Sequence, residues 1–280
     1  MPDRNFSACK VLLRGGGDLG SGVAYRLLRS GFPVLISELD HPLLLRQTVS
    51  FGSAVYEGEV NIEGIRAVRM ESIDQVDSVL AAGLIPVLVD PAGLSVETYR
   101  PQIVIDARML KSPPAPLPGQ HSPVFLIGLG PGFTAPLDCH ALIETNRGHY
   151  LGRVIWQGSA QPDTGLPGDI GSHSADRILR APAAGVVSAA ARIGDVVRSG
   201  QEVMRVASLP VTAPIDGVVR GMIRSGSTVS ANAKIGDVDP RADPSYCFTI
   251  SDKSLAIAGG VLEAILSFPA LQPYLMDRHH

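Results

Sequence analysis

The chain is organised around the stretch Val11-Leu12-Leu13-Arg14-Gly15-Gly16-Gly17-Asp18-Leu19-Gly20-Ser21-Gly22. An apolar run that stops at glycines and is followed by helical spacing predicts a strand, a tight turn and a helix. Gly15, Gly17 and Gly20 match the G-x-G-x-x-G pattern of dinucleotide-binding turns. In that pattern the first glycine allows the turn, the second lets a phosphate approach, and the third lets helix and strand pack. We therefore predict that residues 14–20 bind a phosphate-bearing ligand.

An acidic residue follows the next predicted strand. The run Val34-Leu35-Ile36-Ser37 ends at Glu38, eighteen residues after Gly20. A carboxylate at this place accepts both hydroxyls of an adenosine ribose and disfavours a 2′-phosphate, so the pattern favours NAD over NADP. Asp40 is the reserve candidate for this role.

A second interpretation of the glycine stretch stays open. A glycine-rich turn between a strand and a helix also suits an α/β fold that binds nothing at that turn. Asp18 lies inside the loop, and its carboxylate repels a phosphate unless it points away.

Composition excludes several classes of function. The 280 residues carry a net charge of −3, which gives no sign of nucleic acid as a partner. No apolar run reaches the roughly 18 residues of a membrane helix, and the first residues do not resemble a secretory signal. We therefore expect a cytoplasmic protein with no membrane partner. The three cysteines, Cys9, Cys139 and Cys247, are widely spaced, which indicates neither a metal site nor a disulfide framework.

Strands alternate with helices over residues 1–110, which predicts a Rossmann-like nucleotide-binding domain with a mostly parallel sheet. The predicted elements after Glu38 are a helix-rich segment over 41–56, a hairpin over 59–68, a helix over 73–82, and strands over 85–89 and 103–105. In such sheets the ligand crevice lies beyond the carboxyl ends of the strands. Asp90 and Asp106 follow strand ends, so we expect them at this crevice together with the glycine stretch.

A second glycine loop lies in a predicted second α/β lobe over residues 124–180, after a stiff proline-rich connection over 111–123. It has the sequence Gly128-Leu129-Gly130-Pro131-Gly132-Phe133 and follows an apolar run. Gly128, Gly130 and Gly132 are candidates for close approach to a ligand. A simple tight turn explains them equally well.

The same lobe carries an unusually polar segment, which includes Arg147, His149 and Arg153. A guanidinium matches phosphate geometry with paired donors, and histidine titrates near neutral pH. We predict that Arg147 and His149 face the first glycine loop across an inter-lobe cleft and bind the anionic end of the cofactor. An ordinary surface turn is the alternative.

Residues 181–240 contain an internal repeat. Ala181–Val187 recurs as Ala213–Val219 at an offset of 32 residues, and each copy reads strand, glycine turn, strand. Two such copies resemble the barrel-sandwich fold of biotinyl and lipoyl carrier domains. The connection between the halves, Val206–Thr212, holds no lysine, so we expect neither biotin nor lipoate.

Residues 241–280 predict a C-terminal helix that packs back on the protein. It runs from about Lys253 to Phe268, with Ser251 or Asp252 as the cap. Gly259-Gly260 in its interior is unfavourable for a helix, which indicates close approach to another backbone or to a ligand.

Taken together, the chain resembles the selenium-dependent molybdenum hydroxylase system protein family, the YqeB family, over about residues 10–267. The strings that carry this resemblance are Arg14–Leu19, Arg46-Gln47-Thr48-Val49, Ala54–Glu59, Gly128–Phe133, Glu144–Arg153, Lys234–Arg241 and Gly259–Ala264. The resemblance implies an accessory role in maturing molybdenum hydroxylases, which carry a molybdopterin cofactor. The chain also looks distantly like xanthine dehydrogenase accessory proteins, which contain a Rossmann domain.

Three functions remain open at this point. The first is a maturation factor that binds a NAD-like dinucleotide or a molybdopterin nucleotide and serves a molybdenum hydroxylase client. The second is a NAD-dependent oxidoreductase, although no Ser-His-Asp or Tyr-x-x-x-Lys signature is visible. The third is a non-catalytic docking module for the hydroxylase. Cys139 beside His140 is a weak candidate for a nucleophile, because neighbouring residues on a strand point to opposite faces.

Overall fold

A computed structural model describes residues 6–163 and 175–276 of the protein. These residues divide into two compact units. The first unit takes its residues from 1–42, 51–163 and 251–280, and the second from 43–50 and 164–250.

The first unit is a mixed α/β structure. Its strands are β1 (Val11–Arg14), β2 (Val34–Glu38), β3 (Glu59–Ile62), β4 (Ile65–Met70), β5 (Ile85–Val89), β6 (Ile103–Asp106), β7 (Phe125–Leu129), β8 (Thr134–Ala135), β9 (Ala141–Ile143), β10 (Val154–Ile155) and β11 (Gly158–Ser159). Its helices are α1 (Asp18–Arg29), α2 (Ala54–Glu57), α3 (Val76–Ala81), α4 (Ser95–Tyr99), α5 (Asp252–Ser267) and α6 (Gln272–Leu275).

A large, mostly parallel sheet forms the centre of this unit. Within the described residues it has nine strands, in the order β10-β9-β7-β6-β1-β2-β5-β4-β3. Only the outermost strands, β3 and β10, run antiparallel to their neighbours. From β5 to β9 the six neighbouring strands follow the order 3-2-1-4-5-6 of doubly wound sheets. The predicted strand–helix–strand unit over residues 11–38 and the mostly parallel sheet are therefore confirmed.

The predicted second lobe does not form a separate sheet. β7 and β9 extend the same sheet that contains β1. The proline-rich connection contains no helix or strand, yet it leads from β6 directly to the adjacent strand β7. Proline content indicated a boundary between lobes, whereas these residues connect two hydrogen-bonded neighbours of one sheet.

Residues 41–56 also differ from the prediction. In place of a helix-rich segment, the chain forms two short 3-10 turns, Gln47–Val49 and Phe51–Ser53, before α2. The hairpin that follows is confirmed, since β3 and β4 pair antiparallel around Glu63 and Gly64. Both turn residues have positive φ, 48° and 81°, as a two-residue hairpin turn requires.

The C-terminal helix α5 packs on the first unit as predicted. Ser251 is the cap, and its Oγ accepts the Ser254 N–H at 3.1 Å. A Cβ on Gly260 would lie 2.0 Å from the Gly152 carbonyl oxygen, whereas Gly259 has nothing within 4 Å. Gly260 thus meets another backbone, which explains one of the two helix glycines. Among the described residues no single helix is long and apolar enough to cross a membrane. α5 reaches that length and apolarity only in combination with residues 269–275, and the chain bends by 73° between the two segments.

The second unit consists of antiparallel sheets. Its strands are β12 (Ile178–Arg180), β13 (Gly185–Ala189), β14 (Val196–Val197), β15 (Glu202–Val206), β16 (Leu209–Thr212), β17 (Gly217–Met222), β18 (Thr228–Val229) and β19 (Lys234–Asp239). They form two four-stranded sheets, β12-β19-β17-β14 and β16-β15-β13-β18. Apolar side chains from both sheets, among them Val187, Val203, Val219 and Val238, pack into one core.

The two copies of the repeat exchange strands. β13 of the first copy pairs with β18 of the second, with Gly185 opposite Val229. β17 of the second copy pairs with β14 of the first, with Gly217 opposite Val197. The two pairings are equivalent, because Gly217 lies 32 residues after Gly185 and Val229 lies 32 residues after Val197. The repeat in the sequence is therefore also a repeat of the strand pairing.

Candidate functional site

The predicted site residues of the first unit lie at the carboxyl ends of neighbouring parallel strands. Arg14 ends β1, beside Ser37 of β2 on one side and Asp106 of β6 on the other. Glu38 ends β2 beside Val89 of β5. The expectation that these strand ends share one edge of the sheet is therefore confirmed.

Two glycines of the first loop are required by the fold itself. Gly15 has φ +97°, and its N–H donates to the Ser37 carbonyl at 2.8 Å. A Cβ on Gly20 would lie 2.1 Å from the Gly15 carbonyl oxygen. The turn and the packing of α1 onto it therefore need glycine at these places.

Gly16 is enclosed by the chain. Its carbonyl accepts the Gly52 N–H at 2.8 Å and the Ser21 hydroxyl at 3.0 Å. Ser21 Oγ in turn accepts the Phe51 N–H at 2.8 Å. The short turn Phe51–Ser53 therefore covers this part of the loop, and Gly16 has a packing role.

Gly17 differs from its neighbours. Its backbone angles, φ −71° and ψ −173°, suit any residue, and it is partly exposed together with Leu19. In the described part of the chain, the N–H groups of Gly17 and Leu19 have no hydrogen-bond partner. These two donors at the first turn of α1 form the open part of the loop.

Glu38 holds the shape of the loop. Its Oε2 accepts the Gly16 N–H at 2.7 Å, and its Oε1 accepts the Leu39 N–H at 2.8 Å. The residue is 9% exposed. An ionised carboxylate has about four acceptor sites, so these two bonds leave capacity for further donors. Asp40, the reserve candidate, is exposed and lies 3.8 Å from His41 Nε2.

Asp18 points toward α5. The Ser254 hydroxyl donates to Asp18 Oδ1 at 2.9 Å, and a Cβ on Gly22 would lie 2.6 Å from Ser254 Cβ. α1 and α5 therefore touch near their N-termini, and a hydroxyl compensates part of the carboxylate charge. Ser254 was not predicted, because its partner is 236 residues away.

The other acidic strand ends have partners of their own. Asp90 accepts the N–H groups of Leu94 and Ser95 at 2.9 and 2.8 Å, which caps α4. Asp106 binds the Arg108 guanidinium, with Oδ1 2.9 Å from Nε and Oδ2 2.5 Å from Nη2. This hydrogen-bonded pair raises the pKa of Arg108. Asp90 and Asp106 thus shape the loops at the sheet edge.

The second glycine loop is filled by its own chain. A Cβ on Gly128 would lie 2.5 Å from the Phe133 ring, and one on Gly132 would lie 2.5 Å from the Leu110 carbonyl oxygen. Gly130 has φ +83°, and its Cβ would lie 2.9 Å from Met109 Cε. Internal packing accounts for all three glycines.

The polar segment before β10 divides into separate local arrangements. The Glu144 carboxylate is buried and accepts the N–H groups of Asn146 and Gln161 at 2.6 and 2.7 Å. Arg147 forms a two-bond ion pair with Asp252 at the start of α5, at 2.7 and 2.8 Å. Arg147 therefore reaches the helix whose Ser254 contacts Asp18.

His149 and Arg153 lie elsewhere in this segment. Both are exposed, and both contact the Tyr150 ring. The ring centroids of His149 and Tyr150 lie 5.1 Å apart, and Arg153 Cζ lies 5.2 Å from the Tyr150 centroid. With Glu263 they line an open depression of about 510 Å³. Among the described residues, neither side chain forms a hydrogen bond, an ion pair or a ring contact with the first glycine loop.

The cysteines are buried and are not paired with one another. Burial raises the pKa of the Cys9 thiol to about 12 and that of Cys139 to about 11. Burial also raises the pKa of Cys247, although the nearby guanidinium groups of Arg46 and Arg220 oppose the change. All three thiols are therefore protonated at neutral pH. Over residues 6–163 and 175–276, no group of three or more His, Cys, Asp or Glu side chains is arranged to hold a metal ion.

A buried charge cluster in the second unit was not predicted. Arg177 lies 2.6 Å from Asp237, and Arg220 and Arg241 lie 3.2 and 2.6 Å from Asp239. Burial raises the pKa of Asp239, but hydrogen bonds from Arg241 and the charge of Arg220 outweigh it and hold the pKa below its usual value. The sequence did contain an indication of this cluster. Asp237 and Asp239 are two residues apart on one strand, which puts both carboxylates on the same face.

Arg46 joins this unit through backbone acceptors. Its Nη2 donates to the carbonyl oxygens of Tyr246 and Thr249 at 2.8 and 3.2 Å, and the Leu45 carbonyl accepts the Met222 N–H at 2.7 Å. These bonds explain why residues 43–50 leave the α/β unit. The Arg46–Val49 string of the family resemblance therefore has a structural role in the second unit.

Comparison with curated proteins identifies one relative. The chain is 44% identical over 256 residues to "Uncharacterized protein YqeB" of Escherichia coli (strain K12). The match covers 91% of this chain and 47% of that protein, so the chain spans about half the length of the relative. This similarity fits the YqeB family name suggested by the motifs, and it adds no activity. No protein-family model and no solved structure matches the chain.

Proposed function

We propose that the chain is an accessory protein for the maturation of a molybdenum hydroxylase. In this proposal it binds a phosphate-bearing cofactor, either a NAD-like dinucleotide or a molybdopterin nucleotide, at the first glycine loop. The hydroxylase is the client and the cofactor is the small-molecule partner. The pathway comes from the family resemblance, whereas the place of binding comes from the residues of the loop.

The observation that carries the binding site is the open turn at Gly17 and Leu19. Two backbone N–H groups without partners among the described residues stand at the start of α1, a helix of 12 residues. Free N–H groups and the helix dipole together favour an anion. The dihedral angles of Gly17 do not require glycine. In this proposal, glycine is present there because a side chain would occupy the place of the ligand.

The neighbouring residues have supporting roles in this proposal. Glu38 orients the loop through the Gly16 N–H and has acceptor capacity left for a ribose hydroxyl. Arg147 would bind the cofactor only by exchanging its bonds to Asp252 for bonds to the ligand. His149, Arg153 and the second glycine loop contribute less, because other residues of the chain already explain their positions.

The chemistry we propose is binding and delivery. A sulfur or selenium carrier needs a thiolate, and the raised pKa values of Cys9 and Cys139 argue against these thiols as carriers. For the second unit we propose a barrel-sandwich fold without a covalent prosthetic group. Its exchanged strands and single shared core support this assignment, and intact-mass measurement after expression with biotin and lipoate ligases should show no adduct.

A complementation experiment tests the function. A strain that makes an active molybdenum hydroxylase but lacks this protein receives the wild type, Gly17→Val or Gly259→Ala. A methyl group added at Gly259 would meet nothing within 4 Å beyond its own helix, so this variant is the matched control. We expect Gly17→Val to lower both client activity and client cofactor content, and Gly259→Ala to restore both. Equal restoration by folded, equally abundant variants would refute the proposal, and a wild type that restores nothing would do the same.

A further inference from the structure

Arg14 occupies a special place in the sheet. It ends β1, and its register partner on β6 is Asp106. From β1 the strand order continues to β2 and β5 on one side, and to β6, β7 and β9 on the other. β1 and β6 therefore flank the point where the order reverses, and open α/β sheets bind ligands outside the carboxyl ends of the strands at such a point.

The guanidinium of Arg14 is almost buried and donates no hydrogen bond to any described residue. Its side chain is 7% exposed, and the nearest carboxylate oxygen, Asp106 Oδ2, lies 4.0 Å from Nη1. That distance is too long for a hydrogen bond. A guanidinium has five N–H donors, and buried donors in proteins are nearly always satisfied. None of the Arg14 nitrogen atoms is among the described side-chain atoms that are both fully buried and without a partner, so these donors reach the surface and are open to an acceptor from outside the protein.

The nearby carboxylates are committed to other partners. Asp106 is held by the two-bond pair with Arg108, and Asp90 uses both oxygens to cap α4. Burial, and then the charge of Arg108, lower the pKa of Arg14, although Asp106 and Asp90 oppose them. Two carboxylates thus lie near Arg14, but neither of them forms a hydrogen bond with its guanidinium.

The loop before α4 passes close to the guanidinium without placing a side chain on it. Leu12, two residues earlier on the same face of β1, packs with Val96 and Tyr99 of α4. A Cβ on Gly93, which has φ +76° in the loop before α4, would lie 2.7 Å from Arg14 Nη2. Glycine at this position therefore keeps side-chain bulk away from the guanidinium.

We propose that Arg14 binds a second acidic group, a carboxylate or a phosphoryl group, in addition to the phosphate at Gly17. This inference rests on the proposed function, because it describes another part of the same ligand site. It requires either a cofactor with two acidic groups or a nucleotide bound beside an acidic small molecule. A guanidinium takes both kinds of group through two parallel hydrogen bonds.

The test follows the Arg14 side chain directly. Protein labelled with ¹⁵N-arginine is titrated with inorganic phosphate and, separately, with succinate. The Nε–Hε signal of Arg14 is identified as the one missing from Arg14→Lys. We expect a saturable shift of this signal, with phosphate alone pointing to a phosphoryl group and succinate alone to a carboxylate. If neither probe shifts the signal, the proposal is overturned.

Variants make the test quantitative. Calorimetry with the effective probe should show binding weakened roughly tenfold or more in Arg14→Gln, and unchanged in the control Arg29→Gln, whose residue is exposed on α1. Asp106→Asn should tighten binding, because the carboxylate 4.0 Å from the guanidinium repels an acidic ligand. Unchanged affinity in folded Arg14→Gln, or weaker binding in folded Asp106→Asn, overturns the proposal.

Failure of this inference can be distinguished from failure of the proposed function. Gly17→Val should weaken NAD binding by at least about tenfold while the Arg14 signal still responds to the effective probe. If Gly17→Val keeps its NAD affinity and Arg14→Gln loses the probe, the nucleotide site is refuted and the acidic-group site stands. If NAD binding needs Gly17 but the probe ignores Arg14, only the second acidic group is refuted.

Discussion

The two glycine loops look alike in the sequence and differ in the structure. Both lie at the end of a strand of the same sheet: the first follows β1, and the second begins with the last two residues of β7. In the second loop Phe133 and Leu110 occupy the space next to Gly128 and Gly132. In the first loop Gly17 has ordinary backbone angles, and N–H donors remain open beside it. A glycine that the fold requires is weak support for a ligand, whereas a glycine that the fold does not require is stronger support.

The largest expected effect is on stability and is common to both loops. Gly20→Ala would bring a methyl group 2.1 Å from the Gly15 carbonyl, and Gly132→Ala would bring one 2.5 Å from the Leu110 carbonyl. We expect each to lower the free energy of unfolding by about 2–3 kcal/mol, measured by urea denaturation. Gly259→Ala is the control and should stabilise its helix by up to about 1 kcal/mol. A wild-type midpoint for either loop variant would contradict the packing assignment for that loop.

The alkylation rate of Cys139 tests whether the second glycine loop lies beside a reactive thiol. Cys139 is buried, with a backbone hydrogen bond at Gly128 and a pKa raised to about 11. Two pKa units above the ordinary value of 9.0 reduce the thiolate fraction at pH 8 by about a hundredfold. Iodoacetamide should therefore label Cys139 about a hundredfold more slowly in native than in urea-unfolded protein, followed by peptide mass spectrometry. Rapid native labelling at pH 8 would reveal a reactive thiol beside the second loop.

The next effect separates the loops by ligand binding. Gly17→Val places a branched side chain over the open turn, and we expect it to weaken NAD binding by at least about tenfold while the urea midpoint stays near that of the wild type. Calorimetry measures the affinity. Gly130→Ala serves as the counterpart in the second loop, where φ +83° makes any side chain unfavourable. It should lower stability and leave the affinity of the remaining folded protein intact. The opposite pattern would assign the ligand to the second loop.

The smallest expected effect concerns Arg147. Its ion pair with Asp252 is partly exposed, 31% and 72% for the two side chains, so Arg147→Ala should change the free energy of unfolding by less than about 1 kcal/mol. In the strain with the hydroxylase client, a lower client cofactor content would support a role for Arg147 at the anionic end of the cofactor. If client activity and cofactor content stay unchanged with a folded, abundant variant, the role of Arg147 is structural and limited to its ion pair with Asp252 of α5.

Local patterns predicted the local structure well. The apolar run before Gly15, the Glu63-Gly64 turn and the Ser251 cap each depend on residues close in sequence. Long-range partners were not predictable in the same way. Arg147 and Asp252 are 105 residues apart, and the Leu110 carbonyl that fills the space at Gly132 precedes the loop by a whole strand. The transfer of residues 43–50 to the second unit depends on Arg46 meeting Tyr246, which no spacing rule expresses.

The exchanged strands of the second unit mean that neither copy of the repeat pairs all of its strands by itself. A single copy of the repeat would leave the edge of β13 and the short β14 without the partners that the other copy provides. Such a peptide would satisfy both edges by joining a second molecule of itself. The unit therefore has the two-fold strand arrangement that a symmetric dimer of one copy would have. An excised copy, residues 181–212, should accordingly associate with itself or remain unfolded, and it should not form a stable monomer.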